Sequence, residues 1–409
     1  MGAVLYVCYL GVDEPLVATQ VRPYLRELAA RGHEVHLLTF EPARREDAAA
    51  CAVTRTLAAE GITWHALRYH RRPSLPATLY DIGRGVGRGW RLARRHRIRL
   101  VHARSHVGAA VALGLRTLRR VPFVFDVRGL LPDEYADAGH WRRGGLKYRL
   151  AKAAERVFFR RAGALVVLTD AVRADLAAPG GPLALRDPAD VTVIPCCVDL
   201  AAHPWDEAAR DAERSRRGWE GRRVLVYVGK LGMWYLDAEM ARLFARVRAR
   251  DPRAFLQILT ASPSDALRRA LADARVPAEA FDVRAVAPHE VPALLRAADA
   301  GLSLIKPCAS KRSSSPTKVG EYLAAGLPVV STAGIGDCDR MLGDGRGVVL
   351  DALDDGGLDR GALALAALLD DPATRARCRA FAEAELSLEK TGGPRYAAVY
   401  ASVLEEASA

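Results

Sequence analysis

The fold of this chain is constrained most by a repeated alternation of short apolar runs with amphipathic segments. VLYVCYL is followed by ATQVRPYLRELAARG, which puts Val21, Leu25 and Leu28 on one face and stops at Gly32, and then by HEVHLLTF. Apolar residues at three- and four-residue spacing before a glycine predict a helix, and the apolar runs beside it predict strands. The pattern recurs through RLVHARS, PFVFDVRG and GALVVLTD to VTVIPCCVD. Strands and helices alternating in this way build a doubly wound parallel sheet of the α/β class.

Residues 199–221 interrupt the series with Pro204, Asp206, Glu207 and the charged stretch ARDAERSRRGWEG, a composition that predicts a domain boundary. A second series follows: RVLVYVGKLG, DAEMARLFARVRA, AFLQILT, FDVRAVA, PALLRAAD, AGLSLIKP, KVGEYLAAG and LPVVST. At 409 residues the chain is long enough for two domains, and the expected limits are 1–200 and 201–391, both Rossmann-like. Two such domains in tandem are expected to face each other across a cleft, with ligands at the C-terminal ends of the strands.

Composition narrows the function classes. No run reaches the ~18 apolar residues of a membrane span; the longest candidates, residues 4–12 and 164–169, are strand-length. The opening MGAVLYVCYLG lacks the basic region of a signal peptide, so a cytoplasmic protein is expected. The seven cysteines show no C-x-x-C pairing and read as reduced, buried small hydrophobes; a redox role for the adjacent Cys196 and Cys197 is the weaker alternative, and structural zinc is not expected. Residues 1–200 hold 31 Lys+Arg against 19 Asp+Glu, and the remainder 29 against 29, so the whole excess of +12 lies in the first half. That half either meets an anionic partner or carries a solvated arginine-rich surface. Nucleic acid is not the expected partner, because no helix-turn-helix, RNP or zinc pattern accompanies the charge.

The chemistry concentrates in SSSPTKVGEYLAAGLPVVST, residues 313–332. Proline suits a helix N-terminus, and residues 318–325 are helical by propensity before Gly326 ends them. The uncapped N–H groups around Pro316, Thr317 and Lys318 would form an anion site on the helix dipole, to which Lys318 adds a formal charge. Glu321, about one turn on, can accept two hydroxyl hydrogen bonds of a ribose. A phosphate cradle beside a sugar clamp predicts a sugar nucleotide as ligand. Alternatively Glu321 and Lys318 are solvated helix-surface charges.

This segment, with VYVGKLG upstream, VIPCCVD at the boundary and RGHEV after the first helix, resembles the retaining GT-B glycosyltransferases of family 4, in particular the branch that builds bacterial surface polysaccharides. The resemblance extends over nearly the whole chain. It implies that Gly229 and Lys230 face the donor diphosphate, that Thr317 and Lys318 form the phosphate-binding helix start, and that Glu321 binds the ribose. The family's second glutamate, eight positions before Glu321, is Ser313 here, which leaves the donor sugar open. The usual second lysine after V-G-[RK] is missing from KLGMWYLDAEM, and Lys318 or Arg312 would replace its charge. Trp234 and Tyr235 either stack on a sugar or base or pack in the core.

In the N-terminal half the position where the family tends to carry a histidine falls on Arg128, with Asp126 as its orienting partner or as a structural cap. Gly11 would let the backbone approach the diphosphate. His102, Ser105 and Glu134 would lie at neighbouring strand ends and read the acceptor, although His102 reads equally as a satisfied strand-end histidine. The resemblance implies that the last helix, 392–409, with Tyr396, Val399, Tyr400 and Val403 on one face, completes the N-terminal domain and forms part of a hinge.

The implied reaction transfers a glycosyl unit from a nucleoside diphosphate sugar, UDP being the expected nucleotide, with retention. Lys230, Lys318 and helix N–H groups would stabilise the leaving diphosphate, with Arg128 as a further catalytic residue, no cofactor and no divalent metal, since no D-x-D motif stands at a cleft position. No glycosidase-like pair of carboxylates is evident. The expected acceptor is a lipid-linked saccharide reached from an anionic membrane surface, because residues 83–99, with Val86, Trp90, Leu92 and seven arginines, and residues 141–161, with Trp141, Leu146, Leu150, Val157 and Phe158, both read as basic amphipathic helices. The alternatives are a soluble small-molecule acceptor, a GT-B sugar-nucleotide epimerase and a non-catalytic nucleotide-sugar-binding protein.

Overall fold

The computed structural model describes residues 2–43, 47–181 and 190–407. They divide into two compact units, Met1–Pro195 with Leu388–Ala409, and Cys196–Ser387. The first contains β1 (Ala3–Cys8), β2 (Glu34–Glu41), β3 (Ile62–Arg68), β4 (Leu100–Arg104), β5 (Phe123–Val127), β6 (Ala164–Val167) and β7 (Val191–Val193), hydrogen-bonded in the order β3-β2-β1-β4-β5-β6-β7. The second contains β8 (Arg223–Val228), β9 (Ala254–Leu259), β10 (Phe281–Arg284), β11 (Ala300–Ser303), β12 (Val329–Thr332) and β13 (Gly347–Leu350), in the order β10-β9-β8-β11-β12-β13. Every pairing is parallel. Both sheets are therefore doubly wound, as the alternation predicts. The strand order reverses beside β1 in one unit and beside β8 in the other, which places the ligand crevice of each sheet there.

The period-2 geometry of a strand explains why the apolar runs are continuous. Along β8, Val224 and Val226 enter one buried cluster with Phe255, Tyr322 and Val329, while Leu225 and Tyr227 enter another with Phe244, Leu256 and Leu302. Helices cover both faces, so both faces need apolar side chains.

Two sequence expectations are corrected. The single helix expected after β1 is broken into Pro15–Gln20 and Arg22–Ala30, with Val21 between them at φ −125° and ψ −62°. Pro23 has no N–H to donate and its ring clashes with the preceding turn, which forces the break. Val21, Leu25 and Leu28 nevertheless stay on the buried side. The charged stretch expected as boundary contains a helix of the second unit, Glu207–Arg217, capped by the Asp206 carboxylate on Ala209 N–H and ended by Gly218 at φ +66°. Two of its arginines face protein: Arg210 and Arg214 donate to the Ala297 and Ala298 carbonyls and to Asp299. Relative to the expected limits, residues 196–200 fall in the second unit and residues 388–391 in the first.

The closing helix, Gly393–Glu406, buries Tyr396, Val399, Tyr400, Val403 and Leu404 within the first unit. Residues 408 and 409 of the expected helix lie outside the described residues. The cysteines are free thiols, with Cys8, Cys196, Cys197, Cys338 and Cys378 buried and Cys51 exposed. No helix among the described residues is long and apolar enough to cross a membrane.

Candidate functional site

In the second unit the site is built at the ends of β8 and β11. Helix Thr317–Ala324 is fixed there by Tyr322, whose buried hydroxyl accepts the Val228 N–H at 2.9 Å and donates to the Leu302 carbonyl at 3.3 Å. Its ring lies over Gly301, where a Cβ would come within 2.2 Å of it. Before the helix, the Ser315 hydroxyl accepts the Cys196 N–H at 3.0 Å, and no side chain caps the helix N-terminus. The uncapped end thus lies in the β8–β11 crevice.

Lys318 dominates this crevice. Its side chain is buried, and its Nζ sits 4.1 Å from the Tyr227 ring centroid and 4.2 Å from that of Tyr235. Cation–π contact on two sides holds the ammonium, but Nζ has no hydrogen-bond partner among the described residues. Burial pushes its pKa down to about 7, against the pull of Glu321 and Asp237. Glu321 is half-buried, and its side chain forms no hydrogen bond or ion pair among the described residues; burial raises its carboxyl, with Lys318 opposing. A buried ammonium without an acceptor is costly, and a ligand that supplies phosphate oxygens would remove the cost.

Gly229 completes the arrangement. It follows β8 at φ +131°, and a Cβ there would lie 3.0 Å from Lys318 Nζ. Only glycine gives that backbone conformation without strain and leaves room above the amine. Lys230 is exposed. Ser313 turns away: its buried hydroxyl donates to the Ser310 carbonyl at 2.7 Å, closing a turn instead of facing the crevice as the family's glutamate would. Arg312 is exposed, whereas Lys311, unremarked in the sequence reading, is buried with Nζ 4.0 Å over the Trp234 ring. Trp234 and Tyr235 pack against the core and under these two lysines. Tyr227 was hidden by reading VYV purely as strand; its position two residues before Gly229 is the one available signal.

In the first unit a buried charged cluster lies at the ends of β4 and β5. Asp126 is fully buried, with Arg128 at 3.5 Å, His102 at 3.4 Å and Arg104 at 3.9 Å. Burial alone would raise its carboxyl; Arg128, aided by His102 and Arg104, more than offsets this and holds it at about 2. Arg128 also donates to the Gln20 side chain at 3.3 Å. His102 is enclosed, its Nδ1 2.7 Å from the Tyr400 hydroxyl and its ring against Tyr6, and burial lowers its pKa. It therefore ties the closing helix to the sheet. Ser105 begins helix Ser105–Arg119 at φ +60°, and Glu134 reaches back so that a Cβ on Gly129 would lie 2.5 Å from its carboxylate. Gly11 faces protein: a Cβ there would meet Pro42 at 3.0 Å and Glu41 at 3.2 Å. The one candidate metal cluster among the described residues, Glu34, His36 and His96, has its ligand atoms within 4.8 Å of one another at the N-terminal part of β2, away from these strand ends.

Residues 17–197 match the family model described as Glycosyl transferase 4-like domain. None of the curated proteins matches the chain by sequence. Among solved structures it is similar to the sucrose-phosphate synthase (tll1590) from Thermosynechococcus elongatus, with a TM-score of 0.72 at 15% identity over 99% of this chain and 100% of that one. Anabaena Alr3699/HepE, solved in complex with UDP and glucose, gives 0.71 at 14% over 98% and 100%. WaaG, a glycosyltransferase involved in lipopolysaccharide biosynthesis, gives 0.66 at 17% over 97% and 98%. The chain has the GT-B fold. The matched residues 17–197 fall almost wholly in the first unit, and the Lys318 crevice lies in the other.

Proposed function

We propose that this GT-B protein is a retaining glycosyltransferase that takes its sugar from a nucleoside diphosphate sugar, with UDP as the nucleotide. The observation that carries the reading is the buried Lys318 ammonium, without a hydrogen-bond partner, at an uncapped helix N-terminus under Gly229. A diphosphate supplies the missing acceptors, and Glu321 then takes the ribose hydroxyls. Structures of the neighbouring Alr3699/HepE with UDP and with UDP-glucose support this choice of nucleotide.

The chemistry asked of the chain is stabilisation of charge as the glycosidic C–O bond breaks. Lys318, helix N–H groups and the exposed Lys230 face the leaving diphosphate, and in the first unit Arg128, oriented by Asp126, is a further catalytic candidate. The acceptor proton passes to the departing phosphate oxygen, and the acceptor attacks from the face the diphosphate leaves, which retains configuration. Fixed donors aimed at developing charge are worth most in a water-poor site. No residue of this scheme requires a metal.

The proposed acceptor is a lipid-linked saccharide. On helix Leu146–Arg161, Leu146, Leu150 and Val157 point to solvent, Leu146 being 74% exposed, among Lys147, Arg149, Arg156 and Arg160. Apolar side chains bared among cations suit an anionic bilayer surface. In the other basic segment Val86 and Trp90 pack against the core and Leu92 is buried, so the apolar residues expected to meet the membrane there face protein instead. Thermal-shift measurements with UDP, GDP, ADP and CDP, on wild type and Glu321→Ala, test the donor reading. Stabilisation by UDP that weakens in the variant is expected; no shift with any nucleotide sinks it.

A further inference from the structure

A second polar arrangement in the first unit is used by nothing described so far. Just beyond the C-terminal ends of β1 and β3 stand Tyr9 and His70, and between them Asp81 projects from helix Ser74–Arg95. Asp81 is fully buried, yet its carboxylate is well satisfied. Oδ1 lies 2.6 Å from His70 Nδ1, and Oδ2 accepts the His70 backbone N–H at 2.9 Å and the Tyr9 hydroxyl at 2.8 Å. A carboxylate only accepts hydrogen bonds, so Nδ1 carries a proton, and in the neutral ring Nε2 is then the atom with the free lone pair. The same His70 is held twice, by ring and by backbone, so both its tautomer and its direction are set.

The held ring is open to solvent. The His70 side chain is 30% exposed, and Nε2 has no partner among the described residues. Tyr80, one residue before Asp81 on the same helix, stands edge-on to the imidazole with centroids 5.1 Å apart and is itself 57% exposed. Arg84 lies over the Tyr80 ring at 5.8 Å. The buried acid, the tyrosine and a main-chain N–H combine to fix the ring with Nε2 turned to solvent beside an exposed aromatic ring. Such a pairing fits a saccharide, whose hydroxyl donates to the nitrogen while its C–H face lies on the ring.

Resting on the glycosyl-transfer reading above, we infer that His70, oriented by Asp81 and Tyr9, binds a hydroxyl of the acceptor saccharide, with Tyr80 as the platform for its ring. His70 is the contacting group; Asp81 and Tyr9 are positioning residues.

Long-range 1H–15N correlation spectra of the full chain test this, the His70 signals being assigned by their absence in His70→Gln. The probes are methyl α- and β-glycosides of glucose, galactose and mannose at up to about 100 mM, enough to populate a site of millimolar affinity. The expected result is the Nδ1–H tautomer and a saturable shift of the His70 signals with at least one glycoside. Tyr80→Ala and Asp81→Asn should each weaken that titration about tenfold, the latter with a mixed tautomer, while stabilisation by UDP stays unchanged. Tyr9→Phe, which removes one donor and keeps the ring in place, serves if Asp81→Asn fails to fold, with a smaller weakening expected. An Nε2–H tautomer, or no His70 shift with any glycoside in protein that UDP still stabilises, overturns the inference. Absence of any nucleotide shift is a separate result, which counts against the donor reading and leaves the His70 titration to be judged on its own.

Discussion

At the scale of single residues the crevice reduces to one amine and the space above it. If phosphate oxygens are the partners of Lys318, Lys318→Met should weaken UDP binding by about 10- to 100-fold, the size of a lost charge-assisted hydrogen bond, read by calorimetry. Gly229→Ala should act similarly, because it strains a backbone at φ +131° and crowds the amine from 3.0 Å. The sign of the pH dependence follows from burial. With Lys318 lowered to about 7 from 10.5, the unfolded chain holds the extra proton between those values, so this residue's cost to stability is full below pH 7 and disappears as pH rises toward 10.5. Diphosphate binding does the opposite and recharges the amine. At pH 8 binding should take up a proton, seen as a dependence of the heat on the buffer's ionisation enthalpy, and affinity should fall up to about tenfold per pH unit above 7. A heat independent of buffer would rule out this protonation.

The same residues show what was legible beforehand. Lys318 and Glu321 could be read because one short segment compresses a proline, a hydroxyl, a lysine and a glutamate against a buried strand, and Gly229 only through the resemblance of VYVGKLG to the family. Tyr227 and Lys311 could not, because neither a tyrosine on a strand nor a lysine beside an arginine carries a local mark of the ring–ammonium contact it makes, Tyr227 with Lys318 and Lys311 with Trp234. His70 and Asp81 are eleven residues apart on a loop and a helix, and only the fold makes them neighbours.

At the scale of elements, alternation was enough to assign both sheets, while connections and caps were read less well. Pro23 broke a helix that periodicity alone continued. The polar stretch of residues 199–221 suggests a domain boundary, whereas Arg210 and Arg214 within it satisfy carbonyl groups of the helix end at Arg296–Ala298. Helix Leu146–Arg161 carries the prediction for the membrane. Co-sedimentation with anionic vesicles should fall markedly in Leu146→Ser/Leu150→Ser, since two leucines that point to solvent contribute nothing to the core, and the double variant should keep the wild-type melting temperature. It should also fall as salt rises, with the screening of the arginines. Unchanged sedimentation would remove this helix from the proposal.

At the scale of the whole molecule the two units have separate cores, so ligand linkage should be felt unevenly. UDP, bound to Lys318 and Glu321, should raise the melting temperature of the transition that unfolds Cys196–Ser387 more than that of the other, and Lys318→Met should cancel the difference in differential scanning calorimetry. Removing residues 393–409 should instead lower the stability of the first unit, because Tyr396 and Tyr400 cover Tyr6 and His102.

That covering has a consequence for how the chain is made. His102 finds its partner on Tyr400, 298 residues later, whereas the whole of Cys196–Ser387 is continuous. During synthesis all seven strands of the first sheet leave the ribosome before the second unit begins, yet its core stays open on one side until the final turns emerge. The unit begun first is completed only after the second has emerged, and until residues 393–406 follow, His102 lacks its cover from Tyr396 and Tyr400, so the nascent first unit should be the part of this chain that most engages a chaperone.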